Sequence, residues 1–121
     1  MRYLCLIYGD PEASLSPAEG EALIKEHLDY DEGLRRKGHF VTADALERQE
    51  TSTIVRMRNG RVSTTDGPFA ETKEQLGGFV LIEARDLNDA IRIAGHIPTA
   101  RLGAVEVRTV RDLTLRHGAR Q

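Results

Sequence analysis

Residues 2–8 are apolar on both sides of an extended chain, with Tyr3, Cys5 and Ile7 on one face and Leu4, Leu6 and Tyr8 on the other. Such a run predicts a central strand covered on both faces, stopped by Gly9-Asp10-Pro11. Residues 79–84 repeat the property and predict a second central strand. Between them the period turns helical. Ser16, Pro17 and Glu19 carry the signs of an N-cap, a first-turn proline and a capping box, which predict a helix to about residue 37, ended by Gly38. At ~100° per residue Leu23, Ile24, Leu28, Tyr30 and Leu34 form one broad face, with His27 and Asp31, one turn apart, in its middle.

Residues 39–46 predict a less apolar strand, with Phe40 and Leu46 on one face and Val41, Ala43 and Ala45 on the other. Two short strands, 52–57 and 61–65, flank Arg58-Asn59-Gly60, and Asn-Gly between β-branched runs predicts a hairpin with a type I′ turn. Asp86 caps a second helix over 87–97, in which Leu87, Ala90, Ile91, Ala94 and Ile97 face away from Asp89, Arg92 and His96. Pro98 limits it. Residues 104–110 alternate, Val105 and Val107 against Glu106 and Arg108, as an edge strand with one wet face does. From residue 111 the periodicity fades. The expected division is a domain over 1–110 and a tail over 111–121, where Leu113 and Leu115 could extend a strand or reach a partner.

The order of elements predicts an α+β fold, a ferredoxin-like βαββαβ sheet with an inserted β-hairpin. Two helices cover only one face of such a sheet. The other stays apolar, and a homodimer that pairs sheet against sheet is the simplest cover for it.

The 121 residues suffice for one domain with a core. The 17 basic and 19 acidic residues are interspersed, which argues against direct binding of nucleic acid. Cys5, the single cysteine, excludes an internal disulfide and fits a reducing cytoplasm. No apolar run approaches the ~20 residues needed to span a bilayer, and the chain enters a strand at once, so a soluble cytoplasmic protein without a membrane partner is expected. Gly77-Gly78 lacks the following helix that would hold a phosphate, and Glu71 and Glu74 have no histidine at metal-ligand spacing. Neither a cofactor nor a metal is expected.

Two places carry candidate chemistry. The first is His27 with Asp31. An imidazole on a helix face that meets a sheet is either satisfied within the contact or faces a cavity, where a carboxylate one turn away could orient it as an acid or base. Tyr8, at the end of its strand, could add a phenol to that pocket. The second is residues 62–78. Asp66-Gly67-Pro68 forms a turn, Phe69 is expected to pack onto the body, and Glu71, Lys73 and Glu74 either position a polar ligand or form surface ion pairs.

The string DGPFAETKE at residues 66–74, followed by Gly77-Gly78-Phe79, resembles the signature of the YCII-related family, also called the DGPF family. The likeness runs from Arg2-Tyr3-Leu4-Cys5-Leu6-Ile7-Tyr8 to Gly103-Ala104-Val105-Glu106-Val107-Arg108. It implies a dimeric α+β barrel and a His–Asp active site. Spacing to Thr42-Ala43 aligns His27 on the family histidine, but Arg36 stands at the aspartate position, so Asp31 or Asp66 would have to substitute. The resemblance supports a small-molecule binding protein with His-based acid–base catalysis, no tightly bound cofactor, and a sheet–helix pocket lined by Tyr8, His27, Asp66 and Phe69. It also implies an alternative, a non-catalytic regulatory module that contacts a sigma factor of the extracytoplasmic-function type.

Overall fold

The computed structural model describes residues 1–114. Strand β1 (Arg2–Gly9) leads to helix α1 (Pro17–Arg36), strand β2 (Phe40–Ala45) and a hairpin of β3 (Thr53–Arg58) and β4 (Arg61–Asp66). Strand β5 (Gln75–Glu83), helix α2 (Leu87–Gly95) and strand β6 (Ala104–Thr109) follow, with single 3-10 turns at Gln49–Thr51 and Pro98–Arg101. The main sheet is antiparallel in the order β2-β5-β1-β6, so the two strands that read as apolar on both faces are its centre. This is the ferredoxin-like arrangement, with the β3–β4 hairpin inserted as a sheet of its own.

Local chemistry sets the ends of α1. The Ser16 hydroxyl accepts from the Glu19 N–H at 3.1 Å, and the Glu19 carboxylate accepts from the Ser16 N–H at 2.9 Å. At the other end Gly38 takes φ +78°, its N–H reaches Arg35 O at 3.1 Å and the His39 N–H reaches Leu34 O at 2.9 Å, a Schellman closure. The core lies on one side of the sheet, where Tyr3, Cys5, Val80 and Ile82 meet Leu34, Ala90, Ile93, Ala94 and Ile97. Leu4 and Leu6 pair with Leu81 and Phe79 on the opposite side, outside that core.

Both helices differ from the simple wheel. Only Leu34 of α1 is fully buried, and the Tyr30 hydroxyl donates to Ile93 O at 2.7 Å, so the C-terminal half docks. Ile24 and Leu28 remain 62% and 63% exposed. Helix α2 buries Asp89 together with Ala90, Ile93 and Ala94, while Leu87 and Ile91 stay half exposed. Small alanines let this face approach the sheet, and Asp89 is tolerated there because it is fully engaged. It accepts from the Arg85 N–H at 3.0 Å and the Arg92 guanidinium at 2.8 Å, bonds that hold its carboxyl well below the usual range.

Strand β5 begins at Gln75, four residues before the apolar run, because Gln75 and Leu76 still pair with β1 and Gly78 with Ala45. A Cβ on Gly78 would meet Asp44 O at 2.8 Å, so the second glycine of the pair permits a close passage of two strands. In the hairpin Asn59 and Gly60 take φ of 51° and 73°, as a type I′ turn requires. Every residue of β3 and β4 except Ile54 is exposed. Phe69, expected to pack onto the body, is 79% exposed, with the Arg56 guanidinium 5.4 Å from its ring, because the hairpin beside it stands away from the core. Leu113 is exposed and adds no strand, and Leu115 lies outside the described residues.

Candidate functional site

The N-terminal half of α1 stands off the sheet over a cavity of about 760 Å³. Its floor is the helix-side face of the sheet, Ile7, Ala43 and Val80, and its roof is Leu23, Ile24 and Leu28. The half-exposed Leu46 and Leu102 stand at its margin. The strip of α1 that a tightly packed domain would press onto the sheet is held away from it. That separation explains why Ile24 and Leu28 remain accessible.

His27 and Asp31 project from α1 into this space. His27 Nε2 lies 3.1 Å from the Thr99 hydroxyl, which belongs to the 3-10 turn after α2. That turn is tied to α1 beside His27, since the Arg101 guanidinium makes a two-pronged contact with Glu26 at 2.7 and 2.8 Å. Asp31 Oδ1 is buried and has no hydrogen-bond partner among the described residues. Burial pushes its carboxyl up from the ordinary value, and the charges of His27 and Arg35 offset this in part. An imidazole held by a hydroxyl and a carboxyl whose charged form burial disfavours share one apolar-walled space, an arrangement suited to moving protons on a bound molecule.

The other sequence candidates fall elsewhere. Tyr8 lines the cavity with part of its residue, but its hydroxyl donates to Glu106 Oε1 at 3.2 Å. Glu106 pairs in register with Leu6, so that phenol points to the open side of the sheet. Burial and the Glu106 carboxylate both push it up. Asp66 sits exposed at the base of the hairpin opposite Thr53, Phe69 and Glu71 are also exposed, and none of the three lines the cavity. The Lys73 ammonium is 4.0 Å from Asp10 Oδ2, at the cavity rim. Arg36 is exposed at the end of α1 and outside the cavity. Of the two carboxylates that could accompany His27, Asp31 shares its cavity and Asp66 does not. Thr99 is the residue the sequence patterns do not single out: Pro98 marks a turn, but nothing local says that the turn faces α1.

Among the described residues no group of three histidine, cysteine, aspartate or glutamate side chains could hold a metal ion, and no helix is long and apolar enough to cross a membrane.

The model of the YCII-related domain matches residues 1–114, nearly the whole chain. The chain belongs to the YCII-related family. An uncharacterised protein of Rhizobium meliloti (strain 1021) is 31% identical to it over 112 residues, covering 89% of this chain and 90% of that one. Among solved structures it is similar to 5-chloro-2-hydroxyhydroquinone dehydrochlorinase (TftG) from Burkholderia phenoliruptrix AC1100, in complex with 2,5-dihydroxybenzoquinone. That likeness has a TM-score of 0.57 at 16% identity and covers 94% of this chain and 97% of the other, so it speaks for a shared YCII-like fold.

Proposed function

We propose that this YCII-related chain binds a small ring or carbonyl compound between α1 and the sheet, and that His27 moves a proton on it. The observation that carries the reading is the cavity of about 760 Å³ in which His27 and Asp31 stand among apolar walls. Its size suits a single small ligand. Thr99 holds the imidazole, and Asp31 lies one helical turn away in the same space. The ring compound bound by TftG supports a ligand of this kind by analogy of fold. No tightly bound cofactor enters the reading.

The test is exchange of carbon-bound protons in deuterated water, followed by NMR over a panel of small ketones and hydroxylated aromatics. The wild type catalyses exchange on at least one class, and His27→Gln slows it by about 100-fold or more. Equal rates in the two proteins would remove His27 from the chemistry, and exchange on none of the panel would count against catalysis.

The same reading takes the chain as a cytoplasmic homodimer. The apolar face of Leu4, Leu6, Phe79 and Leu81 supports pairing with a second copy. The single cysteine, Cys5, leaves no internal disulfide, which supports a reducing compartment.

A second reading, a regulatory module that contacts an extracytoplasmic-function sigma factor, draws on the hairpin. Val55, Met57 and Val62 are exposed on one of its faces, and Phe69 is exposed beside it. In this reading the purified chain co-elutes with such a factor, and Val55→Ser with Val62→Ser abolishes co-elution without changing proton exchange. Separate elution of the wild type and the factor would sink it.

A further inference from the structure

His27 Nε2 and the Thr99 hydroxyl are 3.1 Å apart, and either atom can supply the proton between them. Which one does so decides what the other ring nitrogen carries, since a neutral imidazole has one N–H and one lone pair. If Nε2 donates, Nδ1 is a bare acceptor. If the hydroxyl donates, Nδ1 bears the proton.

The surroundings of Thr99 favour the second arrangement. Its hydroxyl has no hydrogen-bond partner besides His27 among the described residues, so on accepting from Nε2 it would find no protein acceptor for its own proton. Donating to Nε2 satisfies both atoms with one bond. The turn Pro98–Arg101 holds the residue in place to do so, its backbone pinned by the Leu102 and Gly103 N–H groups, which reach Thr99 O at 3.0 and 3.1 Å. From the same turn Arg101 grips Glu26, the residue before His27. On the other side Gly103 passes so close to β1 that a Cβ there would run into Tyr8 O. The turn is thus set between α1 and the end of β1, with little freedom to carry the hydroxyl away from the ring.

The second nitrogen is open. Nδ1 has no partner among the described residues, and unlike Asp31 Oδ1 it keeps accessible surface, on a ring that lines the cavity.

We propose that Thr99 is a positioning residue: it donates to Nε2, fixes neutral His27 in its Nδ1–H form, and so makes Nδ1 the atom that meets a bound molecule. This rests on the small-molecule reading and adds to it the polarity of the imidazole. The neutral ring offers a bound molecule a proton donor rather than a lone pair.

Nitrogen NMR of the labelled full chain, in alkaline solution where imidazoles are neutral, reads the two ring nitrogens directly, because protonated and bare nitrogens resonate far apart. The His27 signals are those absent from His27→Gln. The wild type is expected to favour Nδ1–H over Nε2–H by roughly fivefold or more, the weight of one ordinary hydrogen bond. Thr99→Val, which keeps the shape and removes the hydroxyl, is expected to lower that ratio by about fivefold or more. Thr99→Ser, which restores the hydroxyl, is expected to return it toward the wild-type value.

A wild type in which Nε2 carries the proton would overturn the proposal, and that measurement holds whether or not the variants fold. A ratio unmoved in Thr99→Val would overturn it as well, since valine fills the space of threonine and a merely structural role would survive the change. Neither result touches the ligand site, which is judged by the exchange of carbon-bound protons. Absence of that exchange with Nδ1–H in place would count against catalysis and leave the hold of Thr99 on the ring standing.

Discussion

Asp31 is the residue where stability and function pull apart. Its folded carboxyl lies above the ordinary value of 3.8 because burial disfavours the charge more than His27 and Arg35 favour it. The folded state therefore holds this proton more tightly than the unfolded chain, and the contribution to stability is fully present below 3.8. It is lost as pH rises from there through the folded value, so the charged form, whose Oδ1 has no partner among the described residues, weakens the fold. Replacing it with leucine should raise stability at neutral pH by about 1 kcal/mol, and the gain should shrink in acid. Thermal unfolding of the two proteins at both pH values measures this, and a gain that is absent at neutral pH or does not shrink in acid would be inconsistent with it. That His27 and Asp31 share a face of α1 was legible in the sequence, because residues one helical turn apart lie on one side of a helix. Which carboxylate accompanies His27 was not, because Asp66 stands as near the signature string as any residue and only the third dimension removes it. Asp89 was hidden for a related reason. A charged residue reads as solvated until the backbone N–H and guanidinium that satisfy it are in view.

At the level of elements, the strands were legible wherever both faces were apolar or the two faces alternated, since a period of two leaves little choice of register. Strand β5 outran its apolar pattern because Gly78 lies against Asp44 O, a contact no local pattern announces. Gly78→Ala should therefore separate β2 from β5 at the cavity floor and cost roughly 1–3 kcal/mol. Denaturant melts check this, and an unchanged midpoint would mean that the strands yield freely. The hairpin was legible from Asn59-Gly60, but its position was not, because turn chemistry specifies a hairpin without saying what lies beneath it. With its strands exposed it should open locally. Amide hydrogens of β3 and β4 are expected to exchange far faster than those of β1 and β5, and equal protection of the two sheets would show that the hairpin is covered in solution.

For the whole molecule, element order and two doubly apolar strands made the ferredoxin-like fold readable. A sheet–helix pocket was expected, but the residue pattern alone did not decide for it. The same apolar face of α1 fits a tight helix–sheet contact or a helix held away from the sheet, and that difference decides whether His27 is structural or reachable. The half-buried apolar face of Leu4, Leu6, Phe79 and Leu81, outside the core, leads to a prediction of assembly. Light scattering should give twice the 13.5 kDa chain mass, and Leu6→Arg should reduce it to the single chain. A wild type that runs as a single chain at high concentration would contradict the dimer. The central claim, a ligand site under the N-terminal half of α1, is tested most directly by a crystal structure of the chain soaked with hydroquinone. The account predicts a ring between α1 and the sheet, in contact with His27. Leu23 and His27 packed down onto Val80 with no space between them would contradict it.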